Sequence, residues 1–184
     1  KLLVVKLKQA KRYLRDFYLV PEDAQAFQEN DVMMGIKYLR VMAHRYRMPL
    51  VIFIALGSNN GSHEGLSPLS TSTQDVTRFL GFASVIAAGN ETGLAHHYEG
   101  LIPTGQSYED VEIRVGEPES RRGFVVELWA ATADTYTVGF VSPTGETISR
   151  IPIIPGNETR IPFLLEDTVI TVNYLLIEPT TGRQ

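Results

Sequence analysis

The chain has 184 residues, of which 43% are hydrophobic, and a formal net charge of −4. This size is sufficient for one domain or two small ones, whereas the negative charge and the scattered Lys and Arg residues argue against a nucleic-acid partner. The absence of cysteine removes disulfides, thiolate catalysis and thiolate metal sites, and no apolar run approaches the roughly 20 residues that span a bilayer.

The first hundred residues predict strands and helices in alternation. Residues 2–7 are a short apolar run that predicts a first strand, and residues 8–29 predict a loop with one short helix after Pro21. From Asp31 onward, apolar residues recur at steps of three and four, which predicts a helix that ends before Pro49. Three further elements are expected: strand 50–56, helix 73–80 and strand 83–88. The order indicates a parallel sheet with right-handed crossovers.

After about Gly100 the hydrophobic pattern changes to alternation between apolar and polar residues. Six short strands with no helix between them are expected, over residues 111–115, 124–129, 136–140, 147–154, 159–165 and 168–178. Such a pattern is typical of an antiparallel sandwich or jelly roll. The sequence therefore predicts an α/β domain over residues 1–100 and an all-β domain over residues 101–184.

The predicted strands 50–56 and 83–88 end in the same way, in a glycine followed by a polar residue. Gly57-Ser58 follows the first strand, and Gly89-Asn90-Glu91 follows the second. Because the carboxyl ends of neighbouring parallel strands meet at one edge of a sheet, we expect both turns to open onto a shared cleft. Clefts at this edge are where α/β proteins place their chemistry.

The residues around these turns carry a resemblance to a known family. Residues 54–58 and 86–91 resemble the substrate-binding strand and the oxyanion-hole strand of the subtilisin-like serine peptidases. The segments GSNNGSHEGLSPL, AGNETGLAHHY and LLVVKLKQAKRYLRDFY are similar to a narrower branch, the Csp-like clostridial subtilases. The resemblance covers essentially the whole chain. It implies a parallel-sheet segment of a subtilase core followed by an inserted β jelly roll.

By this resemblance, Asn90 has a catalytic role. Acyl transfer builds negative charge on the former carbonyl oxygen, and a side-chain amide aimed at that oxygen stabilises the transition state more than the substrate. Asn90, on the turn after a buried strand, is the implied donor. From its spacing alone, the commoner role of such an asparagine is to cap a turn or a helix.

The same resemblance implies the substrate-binding residues. Ala55-Leu56-Gly57 would pair with an extended peptide through backbone hydrogen bonds, and Ala87-Ala88-Gly89 would form a wall of the pocket for the residue before the scissile bond. The family usually has Ser where Ala55 stands, which leaves the detailed substrate preference open. Glu91 is a candidate for attracting a basic substrate side chain, and a solvated turn charge is the commoner alternative.

The histidines do not fit a metal site or a catalytic triad. His96 and His97 are adjacent, so they point to opposite sides of an extended chain, and the His-Glu-x-x-His spacing is absent. We expect these two and His63 to lie in loops near the cleft, with no metal and no cofactor. The Asp-x-Gly, His-Gly-Thr and Gly-Thr-Ser contexts of the subtilase triad are also absent. We therefore expect an internal piece of a longer protein that is inactive alone.

Three functions remain open at this point. The first is a serine endopeptidase that cleaves a peptide or protein substrate, with the rest of the parent chain and a prodomain as its partners. The second is a pseudoprotease with a signalling or scaffolding role, because the Csp-like branch includes members with a degraded triad. The third is a ligand- or protein-binding β domain, although Trp129, Tyr136 and Tyr174 lie in alternating patterns that more often indicate a core. The resemblance suggests an exported or spore-associated setting.

Overall fold

The computed structural model describes residues 1–61, 64–117, 122–131 and 134–176. The chain divides into two compact units, Lys1–Glu127 and Leu128–Gln184. Among its described residues, the first unit contains helices and a parallel strand pair: α1 (Arg12–Phe17), α2 (Glu29–Tyr46), β1 (Leu50–Ile54), α3 (Pro68–Thr77) and β2 (Phe82–Ile86). The second contains two antiparallel pairs: β3 (Phe140–Val141), β4 (Thr147–Ile148), β5 (Glu158–Phe163) and β6 (Thr168–Asn173). The expected domain boundary near Gly100 stays a prediction.

Helix α2 forms one wall of the core of the first unit. Its buried residues Val32, Ile36 and Ala43 lie at steps of four and seven, which places them on one helical face. Acidic residues in its first turn and basic residues in its last turn complement the helix dipole. The helix ends at Tyr46, and its C-cap Arg47 adopts a left-handed conformation (φ 49°) that stops further helical hydrogen bonding. The predicted helix from Asp31 to before Pro49 is confirmed.

Strands β1 and β2 pair in parallel, in a register that runs from Leu50 opposite Phe82 to Ile54 opposite Ile86. Side chains alternate along β1, so that Leu50, Ile52 and Ile54 are buried against the helices while the residues between them are exposed. The predicted strands 50–56 and 83–88 and their parallel pairing are confirmed, although both strands end earlier than predicted, at Ile54 and Ile86. The helices cover one face of this strand pair, and its other face is open to solvent.

Helix α3 begins at Pro68, five residues before the predicted start at Thr73. Ser67 is its N-cap, with Oγ accepting a hydrogen bond from the Ser70 amide at 3.1 Å, and proline favours the first helical position. Glu29 of α2 also accepts a hydrogen bond from the Leu69 amide at 2.7 Å. The predicted start was wrong because hydrophobic periodicity appears only in the second half of this helix, whereas Ser67-Pro68 sets its beginning.

The first predicted strand, residues 2–7, is not formed. The segment has no regular secondary structure, and it pairs with no strand among the described residues. It packs on α2 instead, at Gly35, where a Cβ atom would lie 3.2 Å from Cγ1 of Val5. An apolar alternation predicts an extended segment, but a strand also requires a partner for its backbone hydrogen bonds. The short helix α1 likewise lies before Pro21 and not after it.

The second unit is built from two hairpin-like pairs. Strands β5 and β6 pair antiparallel from Glu158 opposite Asn173 to Phe163 opposite Thr168, and β3 and β4 pair over two residues each. The predicted turn at 142–145 is confirmed, because the Gly145 amide donates to the Ser142 carbonyl at 3.0 Å. Antiparallel β structure is therefore present in this unit.

The jelly roll itself is not confirmed. The expected strands 111–115 and 124–129 are absent from the described residues, and strand 136–140 is limited to its last residue, which begins β3. Many of the apolar side chains in the first two segments are about half exposed, as at Ile113 (49%) and Val126 (60%). The pattern was misleading because these two segments have no neighbouring strand among the described residues to complete their hydrogen bonds. In the described residues, no helix has the length and apolarity needed to cross a membrane.

Candidate functional site

The turns after β1 and β2 leave the same edge of the parallel pair. The Ala87 amide donates to the Ile54 carbonyl at 3.0 Å, which continues the pairing one step beyond β2. Residues 55–57 and 87–89 follow directly, and all of them are exposed except the half-buried Leu56. The shared edge expected from the sequence is thus present in the backbone.

Asn90 lies on an exposed bend three residues after the Ala87 amide. Gly89 precedes it with φ 91°, a conformation that residues with a Cβ rarely adopt, and this turns the chain away from the strand. Within the described part of the chain, the Asn90 amide side chain has no hydrogen-bond partner. It therefore caps neither a turn nor a helix there.

A small pocket joins the two turns. Its volume is about 150 Å³, and its lining residues are Asn59 from the turn after β1 and Glu91, Ala95, His96 and His97 from the turn after β2. The two turns are contributed by strands more than thirty residues apart in the chain. The structure thus brings Glu91 and the histidine pair together at the edge of the sheet, beside Asn90 in sequence.

Glu91 and His96 form a close polar contact in this pocket. Nδ1 of His96 lies 2.6 Å from Oε2 of Glu91, a distance typical of a charge-assisted hydrogen bond when the imidazole N–H donates. The Leu94 amide closes a turn onto the Glu91 carbonyl at 3.0 Å. Ala95 then adopts a left-handed conformation (φ 53°). This loop path returns His96 to Glu91.

The turn after β1 is held by its own polar contacts. The Asn60 amide donates to Oγ of Ser58 at 3.0 Å, a local side-chain turn. The Gly61 amide donates to Oε2 of Glu127 at 2.6 Å, a contact between residues 66 positions apart. These two bonds fix the loop that carries Asn59 into the pocket.

A second hydrogen bond between side chains lies just after the pocket residues in the chain. The Tyr98 hydroxyl donates to Oε1 of Glu109. This hydrogen bond, burial and the charge of Glu109 together raise the pKa of Tyr98 above its usual value. Gly100 lies against the pair, and a Cβ there would be only 2.7 Å from Cε1 of Tyr98. A larger residue at position 100 would therefore require the Tyr98 and Glu109 side chains to shift.

His96 and His97 lie in a loop near the cleft, as expected from the sequence. His63 falls outside the described residues. Among the residues that the structure describes, no three His, Cys, Asp or Glu side chains are grouped so that they could hold a metal ion. The ionisable contact that lines the pocket is the pair of Glu91 and His96.

Sequence reasoning missed three parts of this site. Asn59 was not singled out, although its position in Gly-Ser-Asn-Asn-Gly is typical of a loop at a strand's carboxyl end. Ala95 had no signal, because alanine rarely adopts a left-handed conformation. Glu127 also had none, since nothing local relates it to Gly61.

The comparisons with known proteins give one distant match. No family model matches the chain, and no curated protein matches it. A solved structure described as the Clostridium perfringens CspB protease matches with 35% sequence identity, over 42% of this chain and 17% of that chain, at a TM-score of 0.38. This chain thus spans about a sixth of the length of that protease. Similarity at this level does not establish a shared fold or family.

Proposed function

We propose that this chain is the oxyanion-stabilising and substrate-binding part of a subtilisin-like serine endopeptidase, which cleaves peptide bonds through an acyl-enzyme. One observation carries the proposal: the two turns that resemble the family's substrate and oxyanion segments leave the same edge of a parallel strand pair. This arrangement supports the proposal, because substrate binding and oxyanion stabilisation act on the same peptide and need the two segments side by side.

Asn90 acts as a donor to the oxyanion. Its side chain is exposed and free of partners among the described residues, so its N–H groups are available to a ligand. A preformed amide donor stabilises the charge that develops on the carbonyl oxygen without a reorganisation step. In subtilisin, loss of one such donor lowers kcat by about 10²–10³-fold, and we expect the same order here.

Residues 55–57 hold an extended peptide. They lie past the end of β1 and pair with no strand among the described residues, so a substrate strand can use their backbone groups. Residues 87–89 are exposed and small, which leaves room for a substrate side chain beside Asn90. Backbone recognition of this kind accepts many peptide sequences.

The nucleophile and its base are supplied by other segments of the parent protein, because the triad contexts are absent from this sequence. A triad needs all of its groups to activate the serine and to protonate the leaving amine. The 184-residue chain alone should therefore not hydrolyse peptides. Turnover of a peptide by the purified chain at a rate typical of subtilases would contradict this part of the proposal.

The test is labelling of the full-length parent protein with a fluorophosphonate probe, followed by intact mass. The phosphonyl oxygen develops charge in the same place as the oxyanion, so Asn90→Ala should slow labelling by about 10²-fold or more. Asn157→Ala is the matched control, because it makes the same change in the second unit, and it should label at the wild-type rate.

Two outcomes would contradict the proposal in different ways. Equal labelling rates for Asn90→Ala and the parent would remove Asn90 from the oxyanion site. A folded and fully processed parent that does not label would instead favour the pseudoprotease, and the cleft would then be a binding surface.

A further inference from the structure

The contact between Glu91 and His96 lies at the solvent-accessible wall of the pocket and not in the interior of the protein. About half of each side chain is exposed, 48% for Glu91 and 56% for His96. A ligand that enters the pocket therefore meets both groups. Because Nδ1 of His96 lies 2.6 Å from Oε2 of Glu91, a charge on the imidazole interacts strongly with the charge on the carboxylate.

The net charge of this pair depends on one proton. With a neutral imidazole the pair carries −1, and with a protonated imidazole it carries zero. Histidine is the side chain whose charge ordinarily changes between about pH 5 and 8. Among the other described lining residues, Asn59 and Ala95 have no ionisable side chain, and His97 is a second imidazole. The two imidazoles are therefore distinguished by separate variants below.

The size of the pocket limits what it can accept. Pockets for drug-sized ligands have volumes of about 300–1,000 Å³, and this one has about 150 Å³. It can receive the end of a single side chain. A negatively charged pocket of this size beside a peptide-binding edge fits the ammonium or guanidinium group of a lysine or arginine side chain.

We propose that His96 is a specificity-determining residue: through its contact with Glu91, it sets whether this pocket attracts a basic side chain of an extended peptide. The neutral imidazole leaves the Glu91 charge available, and the pocket prefers lysine or arginine. The protonated imidazole cancels that charge, and the preference disappears. This inference rests on the proposed peptide-binding function and adds a dependence on pH to it.

The test measures peptide affinity of the isotopically labelled 184-residue chain by NMR, from the amide shifts of Asn90 and Glu91. Two peptides blocked at both ends are compared, identical except that one ends in lysine and the other in norleucine. Measurements at pH 8 and pH 5 are made in about 50 mM salt, where exposed charges are only partly screened. The lysine peptide should bind about two- to five-fold more tightly at pH 8, as expected for an exposed ion pair, and equally at pH 5.

Four variants assign the effect. His96→Gln should keep the lysine preference at both pH values, because its amide cannot gain a charge. Glu91→Gln should show no preference at either pH. His97→Gln should keep the wild-type dependence on pH, and so should His44→Gln, which makes the same change in the last turn of α2.

The outcomes separate this inference from the function on which it rests. If both peptides bind equally at pH 8, the role of His96 is overturned while the peptide-binding edge stands. The role is also overturned if His97→Gln, and not His96→Gln, removes the dependence on pH. If neither peptide binds, the proposed peptide-binding function fails and the inference fails with it.

Discussion

Two regions of the first unit have hydrophobic patterns of similar regularity and different outcomes. The region from α2 to β2 forms its helices and its strand pair, and its apolar residues make a common core. Residues 101–127 alternate as clearly, but form no strand in their described part, and side chains such as Ile113 stay half exposed. A helix completes its backbone hydrogen bonds within itself, whereas a strand depends on a neighbour. Periodicity therefore predicts helices directly and strands only when their partners are known.

The sharpest test of this comparison concerns neighbouring residues of β1. Ile52 is 3% exposed in the core and Phe53 is 71% exposed on the open face. Ile52→Ala should lower the free energy of unfolding of the first unit by about 2–5 kcal/mol, because it leaves a cavity. Phe53→Ala should change it by no more than about 0.5 kcal/mol, as surface substitutions do. Hydrogen exchange of the β2 amides measures both.

The reverse result would change the account of the sheet. If Phe53→Ala costs as much as Ile52→Ala, the open face of the strand pair must be covered in solution. Light scattering over a range of protein concentrations would then show whether a second copy of the chain covers it. A monomer that loses the same stability would contradict the exposure of Phe53.

The second prediction concerns the unit in which strands did find partners. The Tyr174 hydroxyl accepts from the Val138 amide at 3.1 Å and donates to the Ile151 carbonyl at 3.0 Å. Tyr174→Phe leaves both backbone groups without this partner and should destabilise the second unit by about 1–3 kcal/mol. Trp129, the single tryptophan of the chain, lies in this unit and reports its unfolding by fluorescence.

Tyr136→Phe is the matched control for that substitution. Its hydroxyl makes one exposed contact, 3.4 Å from Oδ2 of Asp134, so its loss should change stability by about 0.5 kcal/mol or less. Equal effects of the two substitutions would show that the Tyr174 hydroxyl does not link these segments. The side chain of Tyr174 would then be available to contact a ligand, as in the ligand-binding β domain that the sequence left open.

The contrast between helices and strands explains which parts of the fold could be predicted from the sequence. The helix over residues 29–46 and the turns after β1 and β2 were predictable from local spacing. The pairing of β1 with β2 was predictable because the helix between them indicates parallel neighbours. The strands expected at 2–7 and 111–115 were wrong, since their partners cannot be read from local spacing.

The candidate site also contains features with a local sequence signature and features that depend on distant contacts. The turn that carries Asn90 has a local signature, so its position could be predicted. The placement of Asn59 opposite Glu91 and the support from Glu127 depend on contacts between distant segments. These were outside the reach of spacing and residue type. The catalytic role of Asn90 rests on the resemblance and stays a proposal.

The smallest expected effect concerns the dependence on pH of the second unit. Hydrogen bonds from the hydroxyls of Ser142 and Thr144 lower the pKa of Glu166, and Oγ1 of Thr144 lies 2.7 Å from its Oε1. A carboxylate whose folded-state pKa lies below the unfolded value stabilises the fold above that value, about 4.3 for glutamate, and loses its contribution as the pH falls further. Stability of this unit should therefore decline on acidification below about pH 4.3.

Glu166→Gln should flatten that decline, because the amide keeps an acceptor but does not titrate. Thermal unfolding followed by Trp129 fluorescence at pH 7, 5 and 3.5 measures the change, and the variant should differ most from the wild type at pH 7. Thr144→Val removes the donating hydroxyl and should have a similar effect, while the double variant should add little, since both remove one interaction. If Glu166→Gln keeps the full sensitivity to acid, another carboxylate controls it. The turn at 142–145 would then be stabilised by its backbone hydrogen bonds, such as the one from the Gly145 amide to the Ser142 carbonyl. The charge of Glu166 would not contribute.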